Sequence, residues 1–149
     1  MSRRPPGEAL LDRPLQRPTE PALRALISAA RRARRRAVAP YSGFKVGAAL
    51  LTRDGRTFGG CNIENASYGL TLCAERVAVF KAVSEGVRRF RAVAVVSDSR
   101  RPGAPCGPCR QILWEFCDNV QVLIADLQGR ALDVHLAELL PLPFDRRNL

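Results

Sequence analysis

The sequence predicts an α/β domain, one mixed sheet with helices packed on both faces. Three observations predict it. Ala92-Val93-Ala94-Val95-Val96 and Val120 to Ala125 are short, nearly continuous apolar runs, as in central strands covered on both sides. Helical and strand-like segments follow in the order α-β-β-α-β-α-β-β-α, which suits a layered sheet-and-helix domain. The chain has 149 residues, enough for one domain with one core.

The elements are justified in turn. Residues 1–18 are rich in Pro and Arg with little apolar periodicity, so a disordered arm is expected, with the folded domain running from 19 to 149. Thr19 is a candidate helix cap, with Glu20 and Pro21 in the first turn. Leu23, Leu26, Ile27 and Ala30 then recur at helical spacing. The run Arg31 to Arg36 forms that helix's wet face and C-terminal end, and Pro40 stops it.

Phe44 to Leu51 and Arg56 to Cys61 read as strands joined by an Asp54-Gly55 hairpin turn. Asn62 to Leu70 is a polar loop. Cys73 to Glu85 is a helix closed by Gly86. Arg91 to Ser97 is a strand, Ser99 to Pro105 a loop, and Cys106 to Cys117 a helix that tolerates Pro108 in its first turn. Val120 to Ala125 and Ala131 to Val134 are the last strands, with a turn at Gln128-Gly129. His135 to Leu140 is a short helix broken by Pro141 and Pro143.

Charge and cysteine usage exclude several classes. The formal net charge is +10, but residues 1–40 carry ten Arg and three acids, leaving only +3 for the rest. The basic excess therefore sits on the arm and first helix, as a solvated face, and not beside the reactive segments as in a nucleic-acid binder. No apolar run is long enough to span a bilayer, and the start lacks the apolar core of a secretory signal, so a cytoplasmic protein is expected. Five cysteines, an odd number, point to reduced, metal-binding or buried thiols. Cys61 and Cys117 read as small buried hydrophobes.

The chemistry lies in Cys73-Ala74-Glu75-Arg76 and Pro105-Cys106-Gly107-Pro108-Cys109-Arg110. Cys73, Cys106 and Cys109 are three thiol ligands at metal spacing. A structural zinc site takes four protein ligands, whereas a catalytic one takes three and keeps a position open for water. A closed site would need His135, Cys61 or Cys117 as the fourth. Glu75 is the candidate general acid and base beside that water. Residues two apart do not share a helix face, so Cys73 must stand at the very start of its helix, before the geometry is helical. Three thiolates leave bound Zn²⁺ with a net negative charge and weaken its acidity. Arg76 and Arg110, which follow the two reactive segments, are the candidates for drawing charge off the sulfurs. Asn62 and Glu64 form an amide and carboxylate pair suited to sugar hydroxyls, and the carboxylate disfavours a phosphate on the same sugar oxygen.

Several further segments complete a pattern. They are Tyr41-Ser42-Gly43-Phe44-Lys45-Val46-Gly47-Ala48-Ala49-Leu50, Gly60-Cys61-Asn62-Ile63-Glu64-Asn65-Ala66-Ser67-Tyr68-Gly69-Leu70, and Glu138-Leu139-Leu140-Pro141-Leu142-Pro143-Phe144. With the two cysteine segments, in this order, the chain from Tyr41 to Phe144 resembles the small, homotetrameric cytidine deaminases. The resemblance implies a three-layer α/β/α fold with a five-stranded mixed sheet. It implies one Zn²⁺ per chain on Cys73, Cys106 and Cys109, with Glu75 moving protons. It also implies hydrolysis of cytidine and 2′-deoxycytidine to uridine and 2′-deoxyuridine. By the same analogy Asn62 and Glu64 take the ribose hydroxyls, Phe44 packs near sugar and base, the Ala74 backbone meets the pyrimidine edge, and the Pro105 carbonyl receives the leaving amine. Phe144 stacks on the base, and with Tyr68 is donated by a neighbouring subunit.

Three other readings make different expectations. A blasticidin-type deaminase should lack the Asn62-x-Glu64 pair. A nucleic-acid deaminase usually has His as its first ligand and needs aromatic platforms, and only 6% of this chain is aromatic. A zinc-stabilised binding module would not depend on Glu75.

Overall fold

A computed structural model describes residues 7–101 and 103–149 of the chain. Its helices are α1 (Glu8–Leu11), α2 (Pro21–Arg34), α3 (Ala74–Ser84), α4 (Gly107–Cys117) and α5 (Leu136–Leu139). Its strands are β1 (Val46–Thr52), β2 (Thr57–Cys61), β3 (Phe90–Ser97), β4 (Gln121–Ala125) and β5 (Ala131–His135). They form one five-stranded sheet in the order β2-β1-β3-β4-β5. Only β3 and β4 run parallel, joined through α4, and every other pair is antiparallel. The sheet is thus mixed, as the sequence predicts.

The three layers follow from strand alternation. Successive strand residues point to opposite faces. On β3, Ala92, Ala94 and Val96 pack with Leu23, Leu26, Ile27 and Ala30 of α2. Val93 and Val95 pack on the other face with Ala74, Ala78 and Val79 of α3 and Leu113 of α4. Small side chains on the α2 side let that helix come close. Gly47 shows how close, since a Cβ there would lie 2.0 Å from the Ala30 carbonyl oxygen.

Two boundaries differ from expectation. The cap of α2 is Glu20, with extended backbone, and Pro21 takes the first helical position. Thr19 is not the cap, because Pro belongs at the first position, where its missing N–H costs nothing, and forces the residue before it to be extended. The Glu20 carboxylate makes an ion pair with Arg91 instead of a cap bond. The arm also differs. Its first six residues lie outside the described set, but from Gly7 onward it is laid against the β5 edge. Gln16 exchanges two backbone hydrogen bonds with Ala131, at 3.0 and 2.9 Å, and Arg13 pairs with Glu138 at 2.8 Å. An open sheet edge recruits backbone groups whatever their side chains, and composition does not reveal that.

Candidate metal centre and active site

Cys73 and Cys106 are the N-cap residues of α3 and α4. Both have extended backbone, φ −73° and ψ 154° for Cys73, φ −67° and ψ 170° for Cys106. This is the non-helical start that convergence of Cys73 and Glu75 requires. Cys109 lies three residues beyond Cys106, on the buried side of α4's first turn. Gly60 admits α3 to this place, because a Cβ on it would lie 2.5 Å from the Ala74 carbonyl oxygen and the Ala78 nitrogen.

The three Sγ atoms lie within 4.8 Å of one another, and those of Cys73 and Cys106 are 3.9 Å apart. A tetrahedral ion with metal–sulfur bonds of about 2.3 Å sets its sulfurs about 3.8 Å apart. The donor set therefore fits Zn²⁺ with one position left over. Among the described residues no other His, Cys, Asp or Glu joins this cluster. His135 caps α5, Cys61 is half-buried on β2, and Cys117 is buried at the far end of α4, its thiol pushed up to about 12 by burial.

The electrostatics around the sulfurs are asymmetric. The Cys109 thiol donates toward Cys73, which lowers the pKa of Cys73, and Arg76 lowers it further. Cys109 is raised in turn, first by that hydrogen bond and then by desolvation. Arg76 Nη2 lies 3.5 Å from Cys73 Sγ and donates to the Thr71 carbonyl at 3.0 Å. Its buried Nε has no partner among the described residues. Glu75 is only 5% exposed, and burial pushes its carboxyl up to about 7. A carboxyl at that value can hold or release a proton near neutrality.

Arg110 behaves otherwise. Its guanidinium donates to the Pro105 carbonyl at 2.7 Å and the Leu139 carbonyl at 2.8 Å. Sequence reasoning set it on the sulfurs beside Arg76, but adjacent helix positions face different ways, so nearness to Cys109 in sequence does not carry it there.

A cavity of about 270 Å³ opens between these helix starts. Phe44, Asn62, Glu64 and Ala74 line it together with Cys73, Glu75 and Cys106. Asn62 accepts from the Val46 N–H and donates to the Phe44 carbonyl, both at 2.8 Å. Glu64 accepts from the N–H groups of Tyr41 and Ser42, at 2.9 and 3.1 Å, and from the Ser42 hydroxyl at 2.6 Å. These bonds, chiefly the one from the Ser42 hydroxyl, hold its carboxyl below the usual range. A larger hollow of about 560 Å³ between Trp114 and Arg147 contains none of the three thiols.

Tyr68 and Phe144 do not line this cavity. They are 76% and 61% exposed, and the Tyr68 ring meets the edge of Tyr41 with centroids 6.0 Å apart. Sequence reasoning missed a clasp on the C-terminal segment. Gln111 donates to the Phe144 carbonyl at 2.6 Å, and Trp114 donates to Asp145 at 3.1 Å. It also gave no role to Ser42, which the sequence marks only as part of the segment Tyr41-Ser42-Gly43-Phe44.

Comparison with known proteins gives a consistent picture. Residues 21–125 match the family model described as the cytidine and deoxycytidylate deaminase zinc-binding region. A cytidine deaminase of Sporosarcina psychrophila is 50% identical over 125 residues, which cover 83% of this chain and 92% of that one. A blasticidin-S deaminase of Bacillus cereus is 34% identical over 109 residues, covering 68% and 77%. The crystal structure of cytidine deaminase from Burkholderia pseudomallei superposes with a TM-score of 0.78 at 51% identity, covering 80% of this chain and 97% of that chain.

Proposed function

The chain belongs to the cytidine and deoxycytidylate deaminase family, and from that premise we propose that it hydrolyses cytidine and 2′-deoxycytidine to uridine and 2′-deoxyuridine, releasing ammonia. The observation that carries this reading is Glu75, a buried carboxyl held at about 7 in the same cavity as two of the clustered thiols and the Asn62–Glu64 pair.

Cys73, Cys106 and Cys109 hold zinc, which when bound supplies a Lewis acid that makes water nucleophilic near neutral pH. Glu75 takes one proton from the attacking water and delivers it to the ring nitrogen N3. It then takes the second from the hydroxyl now on C4 and delivers it to the amine, which leaves as ammonia while the C4–N bond breaks and the C4 carbonyl forms. Arg76 draws charge from the sulfurs. The Pro105 carbonyl, with one lone pair given to Arg110, has a second for an N–H of the amine. The Ala74 backbone meets the pyrimidine edge, and Phe44 packs against sugar and base. Asn62 and Glu64 take sugar hydroxyls, and an ionised Glu64 disfavours a phosphate beside it. This supports a free nucleoside as substrate, and neither a nucleotide nor a nucleic acid.

The working unit is a homotetramer with shared sites. Exposed Tyr68 and Phe144, both outside their own chain's cavity, support donation to a neighbour. The reducing cytoplasm suits three ligand thiols that must stay unoxidised. No helix among the described residues is long and apolar enough to cross a membrane.

The test is the loss of cytidine ultraviolet absorbance, with zinc counted in wild type and Glu75→Gln. Activity should fall about 10²–10⁴-fold in the variant with about one zinc per chain in each. Faster turnover of blasticidin S than of cytidine would replace the substrate, and an inert wild type with zinc bound would overturn the reading.

A further inference from the structure

Glu64 cannot present its carboxylate to a sugar unless something fixes both the rotation of the group and the loop that faces it. Two of its three hydrogen bonds come from backbone N–H groups of Tyr41 and Ser42, and both reach the same oxygen, Oε1. Among the described residues the other oxygen, Oε2, is held by one group alone, the Ser42 hydroxyl at 2.6 Å. That hydroxyl oxygen also accepts from the Phe44 N–H at 3.0 Å. Phe44 is thereby gripped at both ends, its N–H by Ser42 and its carbonyl by Asn62 at 2.8 Å. Between them Gly43 turns the chain with φ +68°, a conformation that side-chain-bearing residues rarely adopt.

The acceptor count gives Ser42 its importance. A carboxylate has about four lone-pair sites. Three are taken by Tyr41 and Ser42, which leaves one, on Oε2 beside the Ser42 hydroxyl. Asn62 keeps one N–H and one lone pair after its bonds to Phe44 and Val46. A sugar hydroxyl donates once and accepts, so its chemistry matches a free Oε2 site and a free Asn62 N–H on two residues that line the same cavity.

We propose that Ser42 is a positioning residue for sugar recognition, its hydroxyl aiming the free Oε2 site of Glu64 and setting the Phe44 backbone at the distance the sugar needs. The inference rests on Glu64, Asn62 and Phe44 being the sugar-binding side of the cavity. Without the hydroxyl, Oε2 turns to water, and the remaining bonds no longer define which lone pair faces the ligand. Among the described residues the bonds of Ser42 run to Glu64 and Phe44 and none reaches Glu75 or the three thiols.

Steady-state kinetics on Ser42→Ala, Ser42→Thr and Glu64→Gln, with cytidine and with 2′,3′-dideoxycytidine, test this. In Ser42→Ala the KM for cytidine should rise about 10-fold, the effect of losing one hydrogen bond to a charged group. Its kcat should stay within about 2-fold and its zinc content should be that of wild type. Ser42→Thr, which keeps the hydroxyl, should restore KM. With 2′,3′-dideoxycytidine, which keeps the 5′ hydroxyl but lacks the 2′ and 3′ hydroxyls that Glu64 and Asn62 are inferred to hold, the ratio of Ser42→Ala to wild type should fall to about 1. An unchanged KM in Ser42→Ala, while Glu64→Gln raises it, overturns the role of Ser42 alone. An equal loss on both substrates means the loop has merely collapsed and also overturns it. If Glu64→Gln leaves KM unchanged, the sugar-binding reading itself fails and takes this inference with it.

Discussion

The two helix starts that meet at the metal centre look alike in sequence and differ in what surrounds them. Each has a cysteine as N-cap with extended backbone, and each has an arginine in the next turn, Arg76 after Cys73 and Arg110 after Cys106. The start of α3 is electrostatic. It buries Glu75, sets Arg76 against Cys73 Sγ, and lowers the Cys73 thiol, chiefly through the hydrogen bond from Cys109. The start of α4 is mechanical. Pro108 stiffens its first turn, and Arg110 ties Pro105 to Leu139 by hydrogen bonds to their carbonyls. The lesson is that an arginine next to a reactive cysteine can either tune it or build the wall beside it, depending on which face of the helix it leaves.

The largest effect that would sharpen this contrast is on stability. The raised Glu75 carboxyl means that the folded, metal-free protein prefers it protonated. Its contribution is fully present below the unfolded carboxylate's pKa of about 4.3 and is lost as pH rises through about 7. Glu75→Gln should remove that slope and raise metal-free stability at pH 7 by about 3 kcal/mol, read from denaturant unfolding of both proteins across pH. Equal slopes would show that burial of Glu75 carries no such cost.

The next effect separates the arginines. Arg76→Ala should lower kcat about 10–100-fold with zinc retained, as loss of a group supporting a metal ligand does. It should also move the acidic limb of the pH–rate profile upward, because removing a cation makes the nearby water harder to deprotonate. Arg110→Ala should leave the pH profile in place and instead cost about 1–3 kcal/mol of stability, because two carbonyls lose a charged donor. A shifted pH profile in Arg110→Ala, or an unshifted one in Arg76→Ala, would erase the distinction. The smallest effect belongs to Pro108. Pro108→Ala should cost about 0.4–1 kcal/mol through greater freedom of the unfolded chain, with zinc content unchanged. Metal loss in that variant would mean that Pro108 shapes the ligand geometry itself.

Much of this was legible before the fold was seen. The apolar runs of β3 and β4, the helical stripe Leu23-Leu26-Ile27-Ala30 and the glycine stop at Gly86 are local signals, and each expected helix and strand formed within about two residues of its expected bounds, whereas α1 (Glu8–Leu11) was not expected at all. The need for Cys73 to stand outside the helix follows from helix geometry alone. Residues whose partners come from distant segments were not legible. Ser42 meets Glu64 across 22 residues, Gln111 meets Phe144 across 33, and Gln16 finds Ala131 at a sheet edge that exists only once the strands have paired.

By itself the sequence determined the order of elements, the alternation that gives the sheet two apolar faces, and a donor set of three thiols and one carboxyl. Those properties depend on residue type and on spacing within one element, where backbone geometry translates spacing into direction. Only the tertiary structure decided that the Cys73 thiol is lowered while the Cys109 thiol is raised, that burial raises Glu75, and which arginine reaches a sulfur. Such outcomes depend on desolvation and on contacts between α3, α4 and the loops at residues 41–46 and 62–64, and no single segment carries that information.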